Sequence, residues 1–286
     1  MGTQKSSDGP GGGVPLIPSW VLPVQLAPEP QEENPEPTET EEKAEPDKNE
    51  ETSSDPAQPL LAPQKRFLGT RLHLGKFADT GSKDSLAKGL SHYVGSGLGG
   101  AATATQRMAG TAHVAGRLYG GLEGFRSGEA QPVELGLDKG SLSGKPAREA
   151  GDRIIDAICP VDGSQDAEAR RDSLSRSISD LAEEFPNVDL TALTPEQIDR
   201  LLEGFIAYDI AHRIELDVGK AIFEKAANYA TAVKRIEEMR QYVREKVCAV
   251  FRAKMKGGEK LTRKTSANLM ARVIRDTMGV FEDYIR

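Results

Sequence analysis

The sequence predicts a mainly α protein, an irregular helical bundle preceded by a disordered N-terminal tail and an acidic linker. Three observations carry this prediction. Apolar residues from position 146 onward recur at intervals of three, four or seven, the spacing of helices with one buried face. Residues 28–58 are built from Pro, Glu, Asp, Thr, Ser and Asn, and such a stretch cannot bury enough apolar surface to offset the entropy of ordering it. No segment gives a firm strand signal, Val133–Leu137 being the one place with room for a short strand.

The chain divides into four parts. Residues 1–27 form a Gly/Pro docking tail, 28–59 the acidic linker, 60–145 a Gly-rich helical region and 146–286 a helical domain. The linker sets twelve acids against two lysines, so a chain of net charge −7 keeps a body of about +3. The low isoelectric point therefore belongs to the linker. A mildly basic body on an acidic tether is no nucleic-acid-binding signature, and no direct nucleic-acid contact is expected. No run of about 18 apolar residues occurs and no apolar signal segment opens the sequence, so the expected setting is cytoplasmic, with no membrane span. Cys159 and Cys248 form no CxxC or Cys/His cluster and read as two ordinary buried, reduced thiols.

Positions 82–125 are full of Gly, Ala, Ser and Thr, yet keep Leu86, Leu90, Val94, Leu98, Met108, Val114, Leu118, Leu122 and Phe125. We read two helices there. Each Gly costs a helix about 1 kcal/mol against Ala, so they should form only when packed on the C-terminal helices or on a partner. Further helices fit 146–158 and 165–185, the second stopped by Phe185-Pro186. Thr194-Pro195-Glu196-Gln197 is a helix start, with Thr194 as N-cap, Pro195 in the first turn and Gln197 closing a capping box. Ile198, Leu201, Leu202, Phe205, Ile206 and Ile210 follow at helical spacing. Ile222, Tyr229, Val233, Ile236, Val243, Val247 and Val250 mark one buried stripe along a long helix. Glu237/Gln241 and Arg240/Arg244 fall on its water face, and Gly257-Gly258 ends it. A last helix starts near Thr265 and buries Leu269, Val273, Ile274 and Phe281.

No catalytic or metal-binding constellation stands out. Gly95-Ser96-Gly97-Leu98-Gly99-Gly100 satisfies GxGxxG, but a dinucleotide site needs a preceding strand and a βαβ unit, and the flanks read as helix. Close helix packing is the better account, and no cofactor is expected. Among His73, His92, His113 and His212 none has an i,i+4 histidine partner or an HExxH context. His212 follows Asp209 by three residues, an ordinary helical pair. Glu183-Glu184 and Glu237-Glu238 lie on solvated faces, and no GxSxG or SxxK occurs in a fitting context. Lys254, Lys256, Lys260, Arg263 and Lys264 read as a solvated helix end favoured by the helix dipole rather than a phosphate site. The chain is therefore expected not to be an enzyme.

The tail is more informative. Removal of Met1 exposes the α-amine of Gly2. Further on comes Gly9-Pro10-Gly11-Gly12-Gly13-Val14-Pro15-Leu16-Ile17-Pro18-Ser19-Trp20. Gly11, Gly12 and Gly13 give backbone freedom, Pro15 and Pro18 stiffen an extended segment, and Leu16, Ile17 and Trp20, the sole Trp, are apolar anchors. That is the make-up of a docking peptide. Gly2 with Ser6 also meets the loose myristoylation pattern, but Lys5 alone gives no polybasic support and the acidic linker is repelled by an anionic membrane.

Met1-Gly2-Thr3 and the Gly9–Trp20 run resemble the N-terminus of the B component of bacterial Qat anti-phage defence systems. The Gly-rich 66–125 region and the helical C-terminal part agree with that family in order and texture. The resemblance implies an operon that supplies a defence ATPase, a queuosine-precursor-synthase-like (deazaguanine) enzyme and a TatD-like nuclease as partners, and it implies no catalytic residues here. It also suggests a mechanism. Synthases of that kind activate a carboxylate with ATP and accept an amine, normally ammonia. A Gly2 amine has no side chain to clash in a narrow site, and its pKa of about 8 leaves a useful neutral fraction at pH 7. Gly2 is thus the expected acceptor of an amide-linked deazaguanine. Residues 9–20 then dock on the synthase-like partner, and the linker serves as an extended spacer that lets them reach outward. The alternative is a structural adaptor that bridges the ATPase and the nuclease with an unmodified docking tail.

Overall fold

The computed structural model describes residues 11–19, 21, 60–257 and 261–285. Helices α1 (Leu68–Thr80) and α2 (Lys83–His92) form a hairpin, with the Ser82 hydroxyl capping α2 by accepting from the Ser85 amide. The α2 helix runs directly into a π-helical turn, Tyr93–Gly97. There follow α3 (Ala101–Arg107), α4 (Ala109–Arg126), the short α5 (Lys139–Leu142), α6 (Ala147–Ile158) and α7 (Gln165–Glu184). The chain then forms α8 (Pro195–Lys225), α9 (Tyr229–Lys256), α10 (Ser266–Glu282) and a closing 3-10 turn, Asp283–Ile285.

The fold is mainly α, and the described residues contain no strand. Val133–Leu137 is a turn, not a strand: the Leu135 and Gly136 amides both donate to the Pro132 carbonyl, and Val133 points into water without a neighbouring edge. Helix α8 is central and packs against α1, α4, α7 and α9. One hydrophobic cluster runs from Phe67 to Phe281, so the Gly-rich region and the C-terminal helices share a core. The small residues of α4 do what their size suggests. A Cβ on Gly116 would lie 2.8 Å from the Ala267 Cβ, so the glycine lets α4 and α10 close up. The GxGxxG stretch serves packing too. Gly97 ends the π-helical turn and makes room for the Phe67 ring, whose Cε1 would be 2.5 Å from an added Cβ.

The capping box at α8 forms as expected: the Thr194 hydroxyl accepts from the Gln197 amide, and the Gln197 side chain accepts from the Thr194 amide. The long stripe beyond it is divided. Helix α8 stops at Lys225, and Asn228 starts α9 by accepting from the Thr231 amide at 2.8 Å. The break returns α9 along α8, so Ile236, Met239, Val243, Val247 and Phe251 are buried, whereas Tyr229 and Val233 near its start are exposed. Arg240 and Arg244 leave the water face for ion pairs across helices, to Glu215 of α8 at 2.6 Å and Asp180 of α7 at 3.0 Å.

Candidate functional site

The N-terminal segment is the feature the sequence singles out, and the described part of it is packed on the body. Gly13 donates to the Ala62 carbonyl at 2.8 Å, Ala62 donates to Val14 at 2.8 Å, and Leu16 donates to Leu60 at 2.9 Å. Pro15 sits opposite Leu61 in this antiparallel bridge, at the non-hydrogen-bonded position where its missing N–H costs nothing. Gly12 presses against the following turn: a Cβ there would lie 2.7 Å from the Gln64 Cα and 2.9 Å from the Pro63 carbonyl oxygen. Gly13 has a φ of 77°, which favours glycine.

Leu16 is the anchor of the segment. It is buried, with its Cδ1 over the backbone of Gly99. Val14 and Ile17 face outward, and the Val21 amide closes a turn on Pro18. Val21 lines a cleft of about 410 Å³ between the start of α7 and the sides of α3 and α4, together with Arg107, His113 and Arg170. Thus Gly12, Gly13, Pro15, Leu16 and Pro18 are brought onto the chain's own surface, Gly11 is exposed, and Gly2 and Trp20 lie outside the described residues. The receptor for the segment, 60–64, escaped the sequence reading. The signal was present as Leu60-Leu61-Ala62-Pro63, an apolar run directly after the linker.

Beneath the segment lies a buried polar cluster that also escaped notice. Asp209, Arg213 and Asp217 repeat every four residues on the buried face of α8. Asp209 accepts from the Thr111 hydroxyl of α4 and from Arg213 Nε at 3.3 Å. Arg213 Nη1 reaches Asp166 at the start of α7, 3.0 Å away. Burial lowers the pKa of Arg213, but Asp209 and Asp166 outweigh it and hold the guanidinium charged. Tyr93, at the start of the π-helical turn, donates to Asp217 at 2.9 Å, and Arg107 stands 3.9 Å from the same carboxylate. Burial pushes both Tyr93 and Asp217 upward. The cluster ties α3, α4, α7 and the π-helical turn to α8. Arg107 also belongs to the cleft touched by Val21, so the tail rests on the cluster's outer edge.

The remaining sequence candidates resolve into packing. His212 pairs with Asp172 of α7 at 3.2 Å rather than with Asp209, which is turned into the core. His73 and His92 stack across the α1–α2 hairpin with ring centroids 5.2 Å apart. In the basic cluster Lys254 pairs with Asp276 at 2.8 Å, and Arg263 pairs with Glu129 and Glu134. Cys159 and Cys248 are free thiols pushed up to about 11 by burial. Among the described residues no group of His, Cys, Asp and Glu is placed to hold a metal, and no helix is long and apolar enough to cross a membrane.

No curated protein and no solved structure matches the chain. A family profile described as QatB, Qat anti-phage system associated protein, matches residues 99–281. The matched span takes in α3 to α9 and all but the end of α10, with Arg107, Asp209, Arg213 and Asp217 of the buried cluster. It covers well over half of the sequence, and the chain therefore belongs to the QatB family of Qat anti-phage system associated proteins.

Proposed function

We propose that this chain is a non-catalytic component of the Qat defence complex, whose Gly2 amine accepts a group from a deazaguanine-synthase-like partner. Family membership implies partnership with other Qat components; we assign these as the synthase-like enzyme, the defence ATPase and the TatD-like nuclease. One observation carries the proposal: the bridge of residues 13–16 to Leu60–Ala62 gives the first ten residues a fixed origin. Eight residues separate Gly2 from Gly11, a reach of about 30 Å at full extension. An amine on so short a tether is held at high effective concentration near any enzyme seated on the body. In the transfer the neutral amine attacks the carbonyl carbon of the ATP-activated carboxylate. The amide bond forms, the activating group leaves with its bonding pair, and the surplus amine proton passes to solvent.

The test is intact-mass and peptide analysis of the chain co-expressed with the synthase-like enzyme or with an inactive form of it. A mass increase on the Gly2 peptide only with the active enzyme is expected; an unmodified N-terminus in both would overturn the proposal. The adaptor alternative draws support from Leu16, which is buried in its own body and not offered to a partner. A stable complex with the ATPase and the nuclease, formed with an unmodified N-terminus, would favour it.

A further inference from the structure

The cleft touched by Val21 gathers cations that its own carboxylates do not answer. Arg107 of α3, His113 and Arg117 of α4 and Arg170 of α7 line its space of about 410 Å³, together with two carboxylates, Asp162 and Asp166. Both carboxylates are engaged elsewhere. Asp162 accepts from the Ser164 amide at 2.8 Å, and Asp166 stands 3.0 Å from Arg213. Arg213 is 4 % exposed, and neither of its Nη atoms finds an acceptor in line with its N–H bonds, so the cation behind Asp166 is itself short of acceptors. Arg170 has no hydrogen bond and no ion pair among the described residues. Its guanidinium lies across Gly110 of α4, where a Cβ would come 2.9 Å from Nη1 and 3.2 Å from Cζ. The missing side chain is what seats this cation in the cleft. Arg107 stands 3.9 Å from Asp217, beyond hydrogen-bond range. Arg117 donates to the Glu134 carbonyl at 3.0 Å and the Ala157 carbonyl at 3.2 Å, neutral acceptors that leave its charge uncancelled.

Two further features define what such a cleft takes. The 20-residue helix α7 opens on it at Ser164–Ala167, which adds the positive end of a helix to the arginines. Val114 and Ile158 give it an apolar wall, and Val21 forms a lip. A phosphate group presents several oxygens to guanidinium forks at once and matches them better than a single carboxylate does. The space exceeds a bare phosphate ion and falls within the size range of small-molecule sites. We infer that the cleft binds a phosphorylated small molecule, with its phosphate between Arg107 and Arg170 at the start of α7 and its organic body on the apolar wall beside Val21. The inference is independent of Gly2 as acceptor. It couples the ligand to the N-terminal segment, because a molecule that touches Val21 favours the docked lip.

The experiment is a calorimetric titration of the full chain at low salt with AMP as the probe and adenosine as its uncharged counterpart. AMP should bind, adenosine should not, and inorganic phosphate should compete with AMP. Arg170→Gln should weaken AMP at least ten-fold with an unchanged melting temperature, since Arg170 has no partner to lose, and Arg170→Lys should recover part of the affinity. Lys83→Gln removes the same charge from the exposed start of α2 and should leave the affinity within about two-fold. Bound AMP should also slow exchange of the Val21 amide, which donates to Pro18 at 3.1 Å. Absence of binding by both AMP and inorganic phosphate would overturn the inference. So would an affinity that ignores Arg170→Gln, or one that Lys83→Gln lowers equally, the sign of diffuse charge attraction.

Discussion

Replacing Leu16 by Ala asks whether one side chain holds the N-terminal segment to the body. Leu16 is 7 % exposed and sits over Gly99. Leu→Ala in a core costs roughly 2–5 kcal/mol. At the rim of the body, where the vacated space opens to water, the lower end applies, about 2 kcal/mol. That loss reduces the docking equilibrium about thirty-fold, since 1.4 kcal/mol is a factor of ten. Its effect is local, because the helices of the main core keep all their contacts. Three amides report on it: Gly13 and Ala62, each bonded at 2.8 Å, and Leu16 at 2.9 Å. Native-state hydrogen exchange at these three should accelerate together by about thirty-fold, with the amides of α8 unchanged. If the three amides exchange at the free-chain rate in the wild type, or ignore the substitution, the segment is not docked as described.

Gly116→Ala should cost about 1–3 kcal/mol of stability, measured by urea unfolding, because the new Cβ meets Ala267 Cα and N of α10 at 3.0 Å; a gain of about 1 kcal/mol, the ordinary helix preference for Ala, would contradict the close approach. Asp209→Ala removes a fully buried carboxylate from Thr111 and Arg213 and should cost about 3–5 kcal/mol in the same assay, a loss under 1 kcal/mol being the adverse result. Asp199 is pushed up to about 6 by burial and by Glu203 and Glu196. Its folded form therefore binds the proton more tightly than the unfolded chain, and this site removes stability as pH rises from about 4 to about 6, with no further change above. Because Asp199 is only half-buried and solvent screens part of the effect, Asp199→Asn should raise stability at pH 7.5 by on the order of 1–2 kcal/mol and hardly at pH 4; equal gains at both would refute the cause.

Helix ends that announce themselves locally were legible. The Thr194–Gln197 box, the Phe185-Pro186 stop and the stripe through Leu269, Val273 and Phe281 each appear where the residues place them. Helix α1 was not, and the reason is physical: Leu68 and Leu72 put apolar side chains on its water face, so no single stripe emerges. The break between α8 and α9 was hidden because Ala226-Ala227 is helix-compatible, leaving Asn228 as the only local sign. Charge pairing failed for a different reason. Arg240, Arg244 and His212 have plausible neighbours on their own helices, and Arg240 does reach Glu237 at 3.5 Å, but the pairings with Glu215, Asp180 and Asp172 cross to other helices and are fixed by packing. The docked segment combines both difficulties, since its glycines and prolines resemble any flexible leader, and its receptor lies beyond the linker.

That packing changes the role of the linker. As an extended spacer, residues 28–59 would set how far the tail reaches. With Leu16 bonded to Leu60, and Val21 packed five residues later, the 38 residues 22–59 instead connect two segments already held on the body. Their length then enters through loop closure, whose cost grows as (3/2)RT ln n. Deleting 28–55 leaves ten residues, which span at most about 35 Å. Val21 is within about 20 Å of Leu60, so the shortened loop still closes. The deletion should lower the closure cost by about 1 kcal/mol and slow exchange at the Gly13, Leu16 and Ala62 amides several-fold. The transfer to Gly2 proposed above should survive it, because the reach of the first ten residues is set at Gly11. A spacer predicts the opposite sign: removing it would abolish transfer and leave those amides no better protected. Measuring both in one deletion variant therefore decides which part of the N-terminus governs the position of Gly2.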